Sequence, residues 1–215
     1  GNISLDNLSD NGRNSDDKLT NDNTFDLVIN NQEDFSLITF KVSSNDGADF
    51  TKTTEAQEDL ADGKYVYKTL VTDLAGNSSE TATVSVTIET VPPKLNVIKL
   101  TNNTDTGGKE GDADDPLFND KITKLARPEI LVSSIDPSDD TLKEAGLRIF
   151  VQKSTGNFDM NNLDLFEDLS GAYSFSDDGS SGDYAITFSQ DLNDGKYAII
   201  AEDDAGNRST VSETH

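Results

Sequence analysis

Apolar residues recur at every second position through several short stretches of this chain, as in Tyr65-Val66-Tyr67-Lys68-Thr69-Leu70-Val71 and Thr83-Val84-Ser85-Val86-Thr87-Ile88. Period two is the signature of a strand with one face covered and one wet. The same reading predicts strands at Phe25–Ile29, Phe35–Val42, Glu129–Ser133, Leu147–Gln152, Tyr184–Ser189 and Lys196–Ala201, with another starting just after Gly1. Clusters of Asn, Asp, Gly and Ser separate them, the residues that make turns. Helical spacing is arguable only at Thr141–Ala145 and Asn161–Leu169, both too short to set the class. The chain reads as all-β.

Internal repetition organises these strands. Leu60-Ala61-Asp62-Gly63-Lys64-Tyr65 returns as Leu192-Asn193-Asp194-Gly195-Lys196-Tyr197, and Asp73-Leu74-Ala75-Gly76-Asn77 returns as Asp203-Asp204-Ala205-Gly206-Asn207. A weaker block pairs Asp17-Lys18-Leu19-Thr20 with Asp120-Lys121-Ile122-Thr123. Asp62 and Asp73 are 11 positions apart, Asp194 and Asp203 are 9 apart, and a difference of two keeps inward side chains inward. The weaker block is offset by 103 positions and the first by 132, which places about 29 extra residues in the second half, expected between Asp136 and Ser181. Val91-Pro92-Pro93 ends strand pairing and stiffens the connection, so domains are expected at 1–91 and 92–215.

Charge changes the picture. Lys plus Arg number 17 against 41 Asp plus Glu, a net charge of −24, shared as −11 over residues 1–91 and −13 over the rest. Such a chain repels nucleic acid and anionic membrane. Its self-repulsion is relieved by salt or by a cation held among carboxylates, and a purely solubilising surface is the competing explanation. There is no Cys or Trp, and the single His is His215, which removes the raw material for thiol, zinc-finger and Ser-His-Asp chemistry. No apolar run reaches the length of a membrane span and no signal peptide is recognisable, so the segment is expected to be internal to a longer chain.

Taken together, these blocks resemble the bacterial Ig-like repeats of giant RTX and biofilm-type surface adhesins. The resemblance rests on Asp10-Asn11-Gly12 to Asp17, on Leu19-Thr20-Asn21-Asp22-Asn23-Thr24, on Leu60–Gly63, on Asp73–Asn77 and on Thr90–Pro93, in that order. The second half matches at Asp120–Thr123, Leu192–Gly195 and Asp203–Asn207, and departs at Lys124-Leu125-Ala126-Arg127-Pro128 and in its insertion. The resemblance implies two tandem immunoglobulin-like Greek-key β-sandwiches of seven strands, the second with the insertion, joined head to tail with calcium at or near the junctions. It implies a stalk module on the outside of a bacterial cell, monomeric, whose partners are neighbouring Ig-like repeats of the same chain.

Calcium takes six to eight oxygen ligands, and the Asp-rich turns supply them. Asp73 with Asn77, and Asp203 and Asp204 with Asn207, are either ligands or plain turns in which Gly76 and Gly206 take φ > 0. In Ig-like topology the turn joining the last two strands sits at the leading end of a domain, and the early acidic loop and Asp-Gly turn at the trailing end. Asp10, Asp16, Asp17, Asp62 and Glu89 are therefore candidates to meet Asp203, Asp204 and Asn207, though not all in one shell. Asp105, Asp112, Asp114, Asp115 and Asp120 form a second acidic loop that binds an ion or is merely solvated. The spacing fits neither an EF-hand loop nor a tandem nonapeptide β-roll.

Phe25, Phe35, Phe40, Tyr65, Tyr67, Phe150, Phe175, Tyr184, Phe188 and Tyr197 alternate as core residues do, which favours a sandwich interior over a sugar-stacking platform. A competing function is recognition of a glycan or host protein through the insertion, around Asn157-Phe158-Asp159-Met160-Asn161-Asn162. An enzyme is disfavoured, because the carboxylates cluster on turns rather than in an apolar setting that would shift a pKa.

Overall fold

The computed structural model describes all residues except 13, 93–96, 102, 107–122, 134–147, 155–166, 169–172, 178–182, 195, 210–211 and 214–215. The chain forms two compact units, one of Gly1–Val91 with Asp204–Asn207 and one of Pro92–Asp203 with Arg208–His215. Among the described residues every regular element is a strand.

In the first unit the strands are β1 (Asn2–Asp6), β2 (Leu19–Thr20), β3 (Phe25–Asn30), β4 (Leu37–Ser43), β5 (Thr51–Lys52), β6 (Ala56–Gln57), β7 (Gly63–Thr72), β8 (Ser78–Glu80) and β9 (Val84–Ile88). One sheet has the order β1-β3-β6 and the other β2-β9-β7-β4-β5, with β8 paired to β7. Only the β2–β9 pair is parallel in this unit, Leu19 facing Thr87 and Thr20 facing Ile88. The expected seven strands become nine for two reasons. The Asp10–Lys18 loop splits the opening strand into β1 and β2. Thr81 splits the closing one, because its hydroxyl accepts from Thr69 N–H at 3.0 Å while its own N–H donates to Thr69 O at 2.9 Å, which breaks the ladder between β8 and β9.

Alternation along β3, β7 and β9 puts Phe25, Leu27, Tyr67, Val86 and Ile88 into the interior, with Ile3, Leu5, Phe40, Val42 and Tyr65 packed around them. Phe25 meets Tyr67 edge to face, ring centroids 5.8 Å apart at 88°. Phe35 does not join them. It precedes β4, takes φ 64° and is 85 % exposed, because the turn in which Ser36 N–H donates to Glu33 O turns it away before pairing begins.

Tyr67 is 0 % exposed, and its hydroxyl has no hydrogen-bond partner among the described residues. Burial, with Tyr65 alongside, pushes its pKa far above the usual phenol range, so it stays neutral. A buried donor left unpaired costs stability, so Tyr67→Phe is expected to raise the unfolding free energy by about 1 kcal/mol. Urea denaturation of wild type and variant tests this, and a destabilised variant would show that the hydroxyl is satisfied.

The second unit carries β10 (Val97–Leu100), β11 (Glu129–Ser133), β12 (Arg148–Ser154), β13 (Glu167–Asp168), β14 (Tyr173–Asp177), β15 (Asp183–Phe188), β16 (Lys196–Glu202) and β17 (Ser212–Glu213). Its sheets have the orders β10-β11-β15-β14 and β13-β12-β16-β17. Leu100, Ile130, Ile186, Phe188 and Ile200 are buried. The central pair β12–β16 repeats β4–β7, seven registered residues in each. The side chains of Phe150, Phe175 and Tyr184, the run Thr141–Ala145 and most of the expected insertion lie outside the described residues, although β12, β13 and β14 fall within its bounds.

Candidate functional site

The two Asp-Gly-Lys-Tyr turns are built alike. Tyr65 Oη donates to Ala61 O at 2.9 Å and Tyr197 Oη donates to Asn193 O at 2.6 Å, each reaching back four residues to close the turn that starts β7 or β16. This is the tyrosine corner of immunoglobulin-like sandwiches. The alternation of the strand marks these tyrosines as packing residues; their polar end is what fixes the turn. Beside the first corner, Asp62 Oδ1 accepts from Thr90 N–H at 2.9 Å and from Thr90 Oγ1 at 2.8 Å, tying the start of β7 to the chain leaving β9.

The acidic loop between β1 and β2 lies at this same end of the sandwich. Lys18 N–H donates to Asp10 Oδ2 at 2.9 Å, Leu19 N–H donates to Asp17 Oδ1 at 2.9 Å, and Asp16 N–H donates to Asn14 Oδ1 at 3.3 Å. Lys18 O accepts from Thr87 N–H at 2.8 Å and Thr20 O from Glu89 N–H at 2.9 Å, which joins the loop to the end of β9. Two residues outside the expected ligand set hold it in shape. Thr20, fully buried, donates to Ser9 O at 2.6 Å and accepts from Asp22 N–H at 2.9 Å. Asp22 accepts from Ser9 N–H at 2.8 Å and Thr24 N–H at 3.1 Å. The Thr20-Asn21-Asp22 motif was the available signal for both.

Asp73 and Asn77 sit at the opposite end of β7 and engage each other. Asn77 donates through its backbone to Asp73 Oδ1 at 2.8 Å and through its side chain to Oδ2 at 2.9 Å, and Gly76 takes φ 90°. The Asn77 side-chain amide, then its backbone N–H, holds the Asp73 carboxyl below the usual carboxylate range. Both oxygens thus serve the turn. Gly206 takes φ 89° in the second copy of this motif.

Asp204 and Asn207 fall in the first compact unit, where the Asn207 side-chain amide donates to Glu89 O at 2.8 Å. Asp203 belongs to the second unit and is fully buried. Asp105 N–H donates to Thr101 O at 2.9 Å. Asp112, Asp114, Asp115 and Asp120 lie outside the described residues.

Among the described residues no three acidic or histidine side chains come close enough to share a metal ion. One atom nevertheless suits a hard cation. Asp10 Oδ1 is buried and has no hydrogen-bond partner among the described residues, while Oδ2 is held by Lys18 N–H. Asp10 as a residue is half-buried, but a carboxylate oxygen cut off from solvent and left unpaired is costly unless a donor or a cation meets it. Calcium accepts carbonyl oxygens and water as readily as carboxylates, so a shell built on Asp10 does not require a third acid.

The sheet orders, the corner tyrosines and the split opening strand define immunoglobulin-like sandwich architecture. Residues 1–90, nearly all of the first unit, match the family model of the bacterial Ig-like domain. Among solved structures, the chain is similar to the Bacteroides ovatus mixed-linkage glucan utilization locus protein SGBP-B in complex with a mixed-linkage heptasaccharide, at 12 % identity and a TM-score of 0.27, covering 99 % of this chain and 47 % of that one. It is also similar to the C-terminal domain of the Streptococcus pyogenes antigen I/II-family protein AspA, at 12 % identity and a TM-score of 0.26, covering 75 % of this chain and 57 % of that one. The chain therefore spans about half the length of these solved chains. No curated protein matches it. No helix among the described residues is long and apolar enough to cross a membrane.

Proposed function

We propose that this chain is a calcium-stabilised stalk segment of a large bacterial surface adhesin, a non-enzymatic spacer that works outside the cell beside further Ig-like repeats. The observation that carries the reading is the tyrosine corner built twice, at Tyr65 and Tyr197, on one repeated sequence block. Tandem copies of one non-catalytic module are what an extended spacer is made of.

Calcium enters through Asp10. Its bare Oδ1, with carbonyl oxygens of the Asp10–Lys18 loop, would hold the ion, and the ion would supply charge neutralisation for a chain of net charge −24. Thr20 and Asp22 keep that loop in one shape, and Lys18 and Glu89 fasten it to β9. Extracellular calcium modules bind at about 10⁻⁴ to 10⁻³ M, so calcium outside a cell fills such a site and the cytosol leaves it empty.

Thermal unfolding in calcium and then in chelator tests the proposal. A tenfold excess over Kd adds about 1.4 kcal/mol, which raises Tm by several degrees for a unit of this size. Asp10→Asn should abolish the calcium-dependent rise while the fold persists in chelator. An identical Tm in both buffers would make the carboxylates a solubility feature and end the calcium reading. X-ray scattering of the same samples reads the spacer role separately, as a narrower size distribution with calcium.

A further inference from the structure

In a chain with this acidic excess, the outer face of the β2-β9-β7-β4-β5 sheet is basic. Residues 1–91 contain six basic side chains, and four of them, Lys41, Lys52, Lys64 and Lys68, stand on or beside this face. Lys41 is registered directly opposite Lys52 on one side and Lys68 on the other, so the three form a row across β5, β4 and β7. Directly opposed residues point to the same side of a sheet. Phe40, Val42, Tyr65 and Tyr67 point to the core, which puts the lysine row outward.

Glu80 is the only carboxylate at the registered outward positions of this face. Its Oε1 meets Lys41 Nζ at 2.9 Å and its Oε2 meets Lys68 Nζ at 2.8 Å. The Lys68 ammonium also lies 4.1 Å from the Phe50 ring centroid. These contacts fix where the ammoniums stand, and each retains donors for a further acceptor. Lys52 is exposed, with no carboxylate partner among the described residues. Lys64 pairs with Asp46 at 2.6 Å. Thr39, Thr72, Ser78, Ser85 and Thr87 add hydroxyls at further outward positions, which they share with the apolar Leu37, Val66 and Leu70.

We propose that this face binds an extended anionic polysaccharide, with Lys52, Lys41 and Lys68 meeting successive carboxylate or sulfate groups and the Ser and Thr hydroxyls meeting sugar hydroxyls. Adjacent strands stand about 4.8 Å apart, so the row spans about 10 Å. An acidic peptide in extended form presents like-facing side chains about 6.8 Å apart, out of step with the row. Acidic residues elsewhere on the chain are screened beyond about 8 Å at physiological ionic strength, so the local row governs contact. The proposal does not depend on calcium or on the spacer role.

The test is a titration of the ¹⁵N-labelled full chain with octagalacturonate at about 0.15 M ionic strength, where the remaining acidic residues are screened, beside a heparin octasaccharide, neutral xylohexaose and an oligoglutamate peptide. Shifts at Lys41, Lys52 and Lys68 are expected with one or both acidic sugars, and which of them acts distinguishes carboxylate from sulfate. The double variant Lys52→Gln/Lys68→Gln should weaken binding at least tenfold. Glu80→Gln, which removes the carboxylate shared by Lys41 and Lys68, should tighten it several-fold, a sign that loss of structure would not produce. No shift with either acidic sugar, equal or tighter binding of oligoglutamate or xylohexaose, or weaker binding by Glu80→Gln would overturn the proposal.

Discussion

Replacing Arg208 with alanine is expected to lower the stability of the second unit by about 3 kcal/mol, since the buried Glu202 carboxylate loses an ion-pair partner. Glu202 is 2 % exposed, and its Oε2 lies 2.6 Å from Arg208 Nε. The two residues also form a backbone bridge that closes the Asp203–Asn207 turn. The Arg208 side chain is one-third exposed, so water softens the loss and keeps it near the lower end of what such pairs show. Making the partner neutral as well, in Glu202→Gln/Arg208→Ala, should recover part of the loss. Hydrogen exchange at β12 and β16 reads the effect on this unit alone, and a change under about 0.5 kcal/mol would mean that the carboxylate is satisfied without the arginine.

The second large effect belongs to Thr20. Thr20→Val keeps the volume and removes the hydroxyl, leaving Ser9 O and Asp22 N–H without the partner each has at 2.6 and 2.9 Å. Unpaired buried groups cost roughly 1–3 kcal/mol, so a loss of about 2 kcal/mol is expected in urea denaturation. Valine suits a strand at least as well as threonine, so propensity offers no competing cause. If calcium binds at Asp10, the same variant should also shrink the calcium-dependent rise in Tm, because the loop is no longer held. A full calcium response in a destabilised Thr20→Val would separate the strand's stability from the loop's shape.

The strands that could be read from the sequence were the longer ones, with an alternating pattern or a continuous apolar run between turn residues. Glu129–Ser133 forms within its expected bounds, and Val84–Ile88 and Asp183–Phe188 differ from expectation by a residue at one or both ends. The elements that escaped were short or lacked alternation. β5 and β6 have two residues each, and β8 is Ser78-Ser79-Glu80, polar throughout. Phe35 followed the apolar pattern yet stands in solvent, because a turn with positive φ outranks hydrophobicity at a strand's edge. For the site, composition alone left Asp73 and Asn77 open between ligand and turn, and their mutual hydrogen bonds are a matter of side-chain rotamer that spacing does not encode. Asp10 differs from its acidic neighbours only in having one oxygen buried and bare, a property of packing.

The parallel pairing of β2 with β9 bears on how the first unit carries load. Tension applied at its two ends pulls β2 from its N-terminal side and β9 from its C-terminal side, in opposite directions along one axis. The bonds Thr87 N–H to Lys18 O and Glu89 N–H to Thr20 O are then strained together, in shear. A hairpin pulled from its open end would instead yield one bond at a time. By this geometry the short strand of Leu19 and Thr20, negligible in any tally of sheet content, acts as a mechanical latch that must break before the sandwich can extend.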